Sequence, residues 1–249
     1  MTEGMPRMTV VAPLFNEAAC VEALMNRVAA ALSPITDDWT VHLVDDGSSD
    51  ATWSQVASAA AQEPRFIGLR LAKNVGQFTA IRAGLSQCDA DWVVVIDGDL
   101  QEPPESIQAL YEAATAGHDL VLARKQRRNQ PWVQKGLTEM FYTALNALAS
   151  ERYDRGVGNF RMLSRRNVAW IMDHGVDSWL YGLMGDPDLP RTLVDFQHSE
   201  RHAGETSYRW GRRLKMAWTG LRDGIAPGPP VAASPPRFVI AERTDHAAL

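Results

Sequence analysis

The fold is decided by one stretch of sequence, which reads Trp92-Val93-Val94-Val95-Ile96-Asp97-Gly98-Asp99-Leu100-Gln101. Its apolar run is typical of a strand that is buried on both faces of a parallel sheet. The run ends in two acids separated by a glycine, and open α/β sheets bind ligands beyond the carboxyl ends of their strands. Asp97, Asp99 and Gln101 present oxygen ligands of the kind that Mg²⁺ and Mn²⁺ prefer. Taken alone, the pattern also fits a polar turn, so the interpretation depends on the rest of the chain.

On both sides of this stretch, short apolar runs alternate with amphipathic segments. Strands are predicted at 9–15, 39–44, 65–71, 91–96 and 118–123, helices at 18–32, 51–61, 78–86 and from 103 onward, a strand or turn at 156–162, and a helix at 165–172. The alternation implies right-handed βαβ units and a doubly wound, mostly parallel sheet whose polar loops converge on one edge. The sequence contains no glycine-rich dinucleotide motif and no P-loop phosphate motif, so neither of those two kinds of site is supported.

The composition is that of an ordinary globular protein, with 249 residues, 45% hydrophobic and 22% charged. A formal net charge of −5 argues against nucleic acid as a partner, because phosphate binding requires a basic face. Cys20 and Cys88 match no metal or disulfide pattern and are interpreted as buried thiols. Residues 1–8 lack the apolar core of a signal peptide, and no apolar run approaches the ~20 residues that span a bilayer. We therefore expect a cytoplasmic location.

The pattern changes after residue 123. A basic run at 124–128 precedes a predicted amphipathic helix at 132–148, and a second basic amphipathic helix is predicted at 209–218. Both helices carry tryptophan, so two interpretations stay open. The helices either pack on the core beside solvated charges, or lie at a membrane interface with the protein peripheral on the cytoplasmic face.

Four polar segments that follow predicted strands together resemble the family 2 glycosyltransferases, a group with the GT-A fold. They are Val11-Ala12-Pro13-Leu14-Phe15-Asn16-Glu17, Val44-Asp45-Asp46-Gly47-Ser48-Ser49-Asp50, Lys73-Asn74-Val75-Gly76 and Asp97-Gly98-Asp99-Leu100-Gln101. Two later segments are similar to the polyprenyl-phosphate branch, which includes dolichyl-phosphate mannosyltransferases and their bacterial undecaprenyl-phosphate relatives. They are Asn159-Phe160-Arg161 and Arg201-His202-Ala203-Gly204-Glu205-Thr206-Ser207-Tyr208. Ser207 departs from the branch, where a lysine is common.

The resemblance implies a binding site for a UDP- or GDP-linked sugar. Pro13, Phe15 and Glu17 match the residues that hold the base and ribose in that family, and Asp46 matches the acid that contacts the base. Phe15 offers an aromatic face to the base, although its spacing also fits a core position. These four residues, with Asp97 and Asp99, form the expected nucleotide-sugar site.

The resemblance also implies a metal-assisted reaction. Asp97 matches an acid near the ribose and metal, while Asp99 and Gln101 match the metal ligands. A bound Mg²⁺ or Mn²⁺ would act as a Lewis acid on the leaving diphosphate. Arg124 matches a basic residue near the phosphates or the acceptor, and Arg201 matches the arginine of a mobile acceptor loop. Both would add positive charge where negative charge collects. The expected catalytic residues are Asp99, Arg124 and Arg201.

No motif after residue 123 supplies a carboxylate base for an acceptor hydroxyl. The acids in that region are interpreted as surface residues; they are Asp154, Asp173, Asp177, Asp186 and Asp188. A phosphate acceptor is already an anion and needs no base. Direct displacement by such an acceptor inverts the anomeric centre.

Three functional hypotheses follow. The first is an inverting, metal-dependent hexosyltransferase with a polyprenyl phosphate acceptor, reaching the membrane through its own helices or a membrane partner subunit. The second is a family 2 enzyme with a small-molecule or saccharide acceptor, and the third is an inactive nucleotide-sugar-binding subunit. The catalytic domain is expected to span 8–225, divided into a nucleotide-sugar half at 8–123 and an acceptor half at 124–225. The proline-rich residues 226–249 are expected to form a disordered tail.

Overall fold

A computed structural model describes residues 5–126, 154, 156–174, 185–197 and 238–245. The strands are β1 (Met8–Leu14), β2 (Trp39–Asp45), β3 (Phe66–Leu71), β4 (Trp92–Val95), β5 (Leu120–Gln126), β6 (Val157–Ser164), β7 (Arg191–Gln197) and β8 (Ile240–Arg243). The helices are α1 (Val21–Leu32), α2 (Thr52–Gln62), α3 (Gln77–Leu85), α4 (Ile107–Thr115) and α5 (Arg165–Asp173). Single turns of 3₁₀ helix at Ala18–Cys20 and Pro104–Ser106 lead into α1 and α4.

The strands form one sheet in the order β7-β5-β6-β4-β1-β2-β3-β8. Neighbouring strands are parallel except where β6 lies between β4 and β5 and where β8 pairs with β3. The predicted doubly wound, mostly parallel sheet is confirmed, and its strands β1 to β5 fall within a few residues of the predicted runs.

Helices pack on both faces of the sheet, so its central strands are buried on both sides. All seven residues of β1 are buried. Val10 and Leu14 belong to the core under α1 and α4, whereas Val11 belongs to the core under α3 and α5. Helix α1 buries a stripe of apolar residues at helical spacing; they are Val21, Leu24, Val28 and Leu32.

The sheet brings the polar loops together at one edge. The loops that follow β1 to β4 leave from the carboxyl ends of parallel strands. Because β6 runs antiparallel to β4, its first residues meet the same edge, and Arg161 pairs with Val95. Asn159, two residues before Arg161, therefore lies at the level of Asp97.

Two strands were not predicted. β7 lies at one border of the sheet, next to β5. β8 corrects the prediction that the tail is disordered throughout, because residues 240–243 form a strand on β3. The predicted amphipathic helices at 132–148 and 209–218 lie outside the described residues. Within the described part of the chain, no helix has the length and apolarity to cross a bilayer.

Candidate active site

Asp97 is held at this edge by two side chains. Its Oδ1 accepts hydrogen bonds from Gln77 Nε2 at 2.7 Å and from Asn159 Nδ2 at 3.0 Å. Gln77 is the first residue of α3, and Asn159 lies in β6, so Asp97 joins the loop after β4 to two other elements. Its Oδ2 accepts no hydrogen bond from the described residues. Asp97 therefore presents one oxygen for a ligand.

Two buried charged side chains, Glu102 and Arg161, lie close to Asp97. Glu102 is 7% exposed and accepts a hydrogen bond from the Asp97 N–H at 2.8 Å. Arg161 is 2% exposed, and its Nε and Nη2 donate to the backbone carbonyls of Asn159 and Gly158, at 2.7 and 2.8 Å. Two carboxyl groups and one guanidinium thus lie close together in the interior.

The charges in this group shift one another's protonation. Burial raises the pKa of Asp97 to about 6, and the charge of Asp99 adds to the rise, while Asn159, Arg161 and Gln77 oppose it. Burial also raises the pKa of Glu102 well above its ordinary value, with Asp97 adding to the effect. Burial lowers the pKa of Arg161 to about 10 against the attraction of both acids. A cation placed beside Asp97 would relieve the repulsion between the carboxylates.

The turn from Asp97 to Gln101 is shaped by contacts on both sides. A Cβ at Gly98 would lie 2.3 Å from the Leu14 side chain and 3.2 Å from the Pro13 carbonyl oxygen, so any larger residue between the two acids would have to displace Leu14. Leu100 is fully buried and has a φ of 60°, a strained value for leucine that the buried side chain holds in place. Gln101 N donates to Asp99 Oδ1 at 3.1 Å.

The metal prediction concerns Asp97, Asp99 and Gln101, and these three residues lie together on this turn. The described residues contain no group of three His, Cys, Asp or Glu side chains that could hold a metal ion by themselves. Two carboxylates and an amide fit a different kind of site, in which Mg²⁺ or a similar ion is completed by the phosphates of a substrate.

Asp46 connects the loops that follow β2 and β3. It is 3% exposed; its Oδ1 accepts from Val75 N at 2.7 Å and its Oδ2 from Gly76 N at 2.9 Å. Burial raises the pKa of Asp46, although both hydrogen bonds oppose the rise. A Cβ at Gly47 would lie 2.6 Å from Asn74 N, so the two loops touch through their backbones.

The loop that follows β1 is fastened to the same place. Asn16 N donates to Ser48 Oγ at 3.0 Å, and Asn16 Oδ1 accepts from Ser49 N at 2.9 Å. Glu17 N donates to Thr52 Oγ1 at 2.9 Å. These bonds join loops that are more than 30 residues apart, and the three loops form one surface beside Asp97.

Phe15 is 38% exposed at this edge, so the core interpretation of this side chain is excluded. Pro13 is buried in β1 and pairs with Val44. The structure thus brings Phe15 and Glu17 to this edge beside the buried Asp46, and Pro13 supports them from within the sheet.

Arg124, near the end of β5, is engaged by two acids. Its Nε and Nη2 donate to Asp195 at 2.5 and 3.1 Å, and its Nη1 donates to Asp154 at 3.3 Å. These bonds raise the pKa of Arg124, which is charged throughout the working range. Its position near the carboxyl end of a strand fits the predicted basic residue, but Asp154 and Asp195 neutralise part of its charge. Arg201, the other predicted arginine, lies outside the described residues.

Sequence reasoning missed Glu102, Gln77 and the partnership of Asn159 with Asp97. The only local signal for Glu102 is its place directly after Gln101 and before two prolines. A separate groove between α1 and α2, lined by Met25, Asn26 and Ser58 among others, lies on a helical face away from these residues.

Comparison with known proteins identifies the family. A family model described as glycosyl transferase family 2 matches residues 9–172. An undecaprenyl-phosphate 4-deoxy-4-formamido-L-arabinose transferase of Enterobacter sp. is 30% identical over 223 residues, which are 87% of this chain and 67% of the relative. The namesake from Proteus mirabilis is 29% identical over 222 residues, with the same two coverages. The chain spans about two thirds of the length of these relatives.

Solved structures share the fold at lower identity. A mannosyltransferase from Pyrobaculum calidifontis, in complex with GDP-mannose and Mn²⁺, superposes with a TM-score of 0.60 at 20% identity, covering 92% of this chain and 68% of the other. Glucosyl-3-phosphoglycerate synthase from Mycobacterium tuberculosis, with Mn²⁺, UDP and phosphoglyceric acid, gives a TM-score of 0.58 at 20% identity, covering 86% and 75%. At this identity the likeness shows the GT-A fold alone.

Proposed function

The chain belongs to glycosyl transferase family 2 and is a glycosyltransferase, and we propose that it moves a sugar from a UDP- or GDP-linked donor to a polyprenyl phosphate. The observation that carries the proposal is the turn at Asp97-Gly98-Asp99, which lies beside the interlocked loops after β1, β2 and β3. The acceptor class is taken from the relatives, whose names specify undecaprenyl phosphate.

The donor occupies the interlocked loops in this proposal. Phe15 provides an exposed aromatic face for the base, and Glu17 lies beside it near the ribose. Asp46 contributes chiefly by holding the loop at Val75 and Gly76, since both of its oxygens accept backbone hydrogen bonds. The base-contacting role expected for Asp46 remains part of the proposal, because a carboxylate oxygen has a second lone pair for the base.

Asp99, Asp97 Oδ2 and the Gln101 amide are the groups that we propose hold a divalent ion together with the donor's phosphates. Such an ion, when bound, neutralises charge on the leaving diphosphate. Gln77 and Asn159 fix the orientation of Asp97 by occupying its Oδ1. This arrangement follows the general rule that hydrogen bonds from outside the ligand set orient metal-binding side chains.

The chemical step is a direct displacement. An oxygen of the acceptor phosphate forms a bond to the anomeric carbon of the sugar, and the bond from that carbon to the diphosphate oxygen breaks. The electron pair leaves with the nucleoside diphosphate, and no proton has to move. Attack opposite to the leaving group inverts the anomeric centre.

A transfer assay tests the proposal. Radiolabelled UDP- and GDP-linked hexoses and pentoses are incubated with the protein, Mn²⁺ or Mg²⁺, and a short-chain polyprenyl phosphate. We expect label to move into the organic phase and chelator to abolish the movement. Label that stays in the aqueous phase with every donor, despite metal-dependent hydrolysis of one of them, would replace the lipid acceptor by a soluble one. A protein that neither transfers nor hydrolyses any donor would contradict the proposed donor class.

A further inference from the structure

Arg70, near the end of β3, lies between the C-terminal strand and the last residue of β2. Its Nη1 donates to Glu242 Oε1 at 2.8 Å, and its Nε lies 3.5 Å from Asp45 Oδ2. The guanidinium also lies 5.6 Å from the centre of the Trp53 ring, and Trp53 Nε1 donates to Glu242 Oε2 at 3.2 Å. Glu242 and Trp53 together fix the position of Arg70.

The buried carboxylate of Asp45 is stabilised by the charge of Arg70. Its side chain is fully buried, and Oδ1 accepts a hydrogen bond from Ser48 N at 3.0 Å. Its other oxygen, Oδ2, has no hydrogen-bond partner within the part of the chain that the structure describes. The distance of 3.5 Å to Arg70 is an ion pair without a well-formed hydrogen bond. Since an uncompensated buried carboxylate is costly, the nearby charge of Arg70 stabilises Asp45 in this place.

Ser48 links Asp45 to the loops of the proposed donor site. Its Oγ accepts from Asn16 N, so the loop after β2 and the loop after β1 are joined at this serine. The neighbouring Asp46 holds the loop after β3. A continuous series of polar contacts thus runs from Glu242 through Arg70 and Asp45 to the loops that surround the proposed nucleotide site.

The strand that carries Glu242 is anchored by hydrogen bonds from the residues on either side of it. Ala72 N donates to the Val239 carbonyl at 2.9 Å, Gly68 N donates to Thr244 Oγ1 at 2.8 Å, and Thr244 N donates to the Gly68 carbonyl at 3.2 Å. β8 pairs with β3 from Leu69 to Leu71. It covers the border strand of the sheet and holds Glu242 in register with Arg70.

We propose that β8 helps to shape the donor site, and that Glu242 and Arg70 are positioning residues for it. Glu242 holds Arg70 against Asp45, and Asp45 sets the loop at 45–50 in the conformation that binds the nucleotide. The inference rests on the proposed function, because the role of that loop in nucleotide binding comes from there.

The test compares variants at the two ends of β3. Arg70→Met removes the charge beside Asp45, Arg70→Lys retains it, and Glu242→Gln removes the acid that holds the arginine. Arg65→Met is the matched control, because Arg65 pairs with Glu63 at 2.7 Å and lies 4.0 Å over the Trp39 ring, away from the loops. The dissociation constants of UDP and GDP are measured by titration calorimetry with Mn²⁺, and kcat and KM for the donor in the transfer assay.

We expect Arg70→Met to weaken binding of the preferred nucleotide by about tenfold, with a smaller loss for Arg70→Lys and for Glu242→Gln. Donor KM rises in these variants, whereas kcat at saturating donor stays within about twofold of wild type. Arg65→Met binds like wild type. Glu242 is 51% exposed, so Glu242→Gln keeps the test valid if Arg70→Met fails to fold.

Two results would overturn the inference, and they are distinguishable. If wild type binds the nucleotide but Glu242→Gln and every folded Arg70 variant bind it as tightly as Arg65→Met, only this inference fails. If wild type binds neither UDP nor GDP, the proposed function fails and this inference fails with it.

Discussion

The carboxylate of Glu102 accepts a hydrogen bond from the backbone N–H of Asp97, at 2.8 Å. An acid that directly follows the turn from Asp97 to Gln101 therefore closes that turn. Both acids lie near the buried Arg161, whose charge they attract. The site is thus supported by a buried set of charges as well as by the side chains that face the substrate.

Glu102→Ala leaves the Asp97 N–H without its acceptor, whereas Glu102→Gln keeps an acceptor oxygen and removes the charge. We expect Glu102→Ala to lower the free energy of unfolding by about 1–3 kcal/mol relative to Glu102→Gln, the cost of an unpaired buried group. Urea unfolding measures the difference. Glu105→Ala is the control, since Glu105 forms an exposed ion pair with Arg27 worth less than about 1 kcal/mol. Equal stability of the two Glu102 variants would show that the hydrogen bond contributes nothing.

Asp99→Ala should lower the rate of sugar transfer by at least about 100-fold, because it removes a proposed ligand of the ion that stabilises the leaving diphosphate. Its urea unfolding curve should match that of wild type. Asp188→Ala, which removes an exposed acid of the loop before β7, should transfer sugar at the wild-type rate. Wild-type transfer by Asp99→Ala would remove Asp99 from the metal site.

Stability should depend on pH through Asp97, whose pKa burial raises to about 6 from 3.8. The folded chain binds this proton more tightly than the unfolded chain. The protonated Asp97 therefore contributes to stability below the unfolded pKa, and this stabilisation is lost as pH rises through about 6. In chelator and without nucleotide, the unfolding free energy of wild type relative to Asp97→Asn should fall by up to about 3 kcal/mol from about pH 4 to about pH 7.

Asp89 provides a control of opposite sign for the pH experiment. Hydrogen bonding to Arg165 lowers the pKa of Asp89, so its contribution is present at higher pH and is lost as pH falls through the folded pKa. The stability of wild type relative to Asp89→Asn should therefore rise with pH across the acidic range. Chemical unfolding over a series of buffers measures both differences. Parallel slopes for the two variants would refute the assignment of a raised pKa to Asp97.

Phe15→Ala should weaken nucleotide binding by about tenfold, because stacking of a base on an aromatic ring contributes about 1–3 kcal/mol. Since Phe15 is 38% exposed, its loss should leave the stability nearly unchanged. Phe15→Trp should retain the affinity, and Met5→Ala, at a residue 58% exposed, should have no effect. Titration calorimetry with UDP and GDP gives the affinities. Unaltered binding by Phe15→Ala would exclude stacking on this ring.

In the first half of the chain the structure agrees closely with the prediction, because the sequence pattern that marks each strand lies within the strand itself. Strands β1 to β4 are short apolar runs, each followed at once by polar residues. The position of Asp97 and Asp99 at a strand end is a consequence of the sequence pattern alone. Residue 240 begins a strand without such a signal, because β8 is short and its partner β3 is about 170 residues away.

Sequence patterns predict the mostly parallel sheet, the edge at which its loops meet, and the acids that follow β4, because these features depend on neighbours along the chain. The folded structure, in contrast, inserts β6 antiparallel beside β4 and brings Asn159 to Asp97, across 62 residues. It also buries Glu102 beside Arg161 and places Glu242 against Arg70. Contacts between distant segments are fixed by packing and by pairing of buried charges, which leave no periodic trace in the sequence.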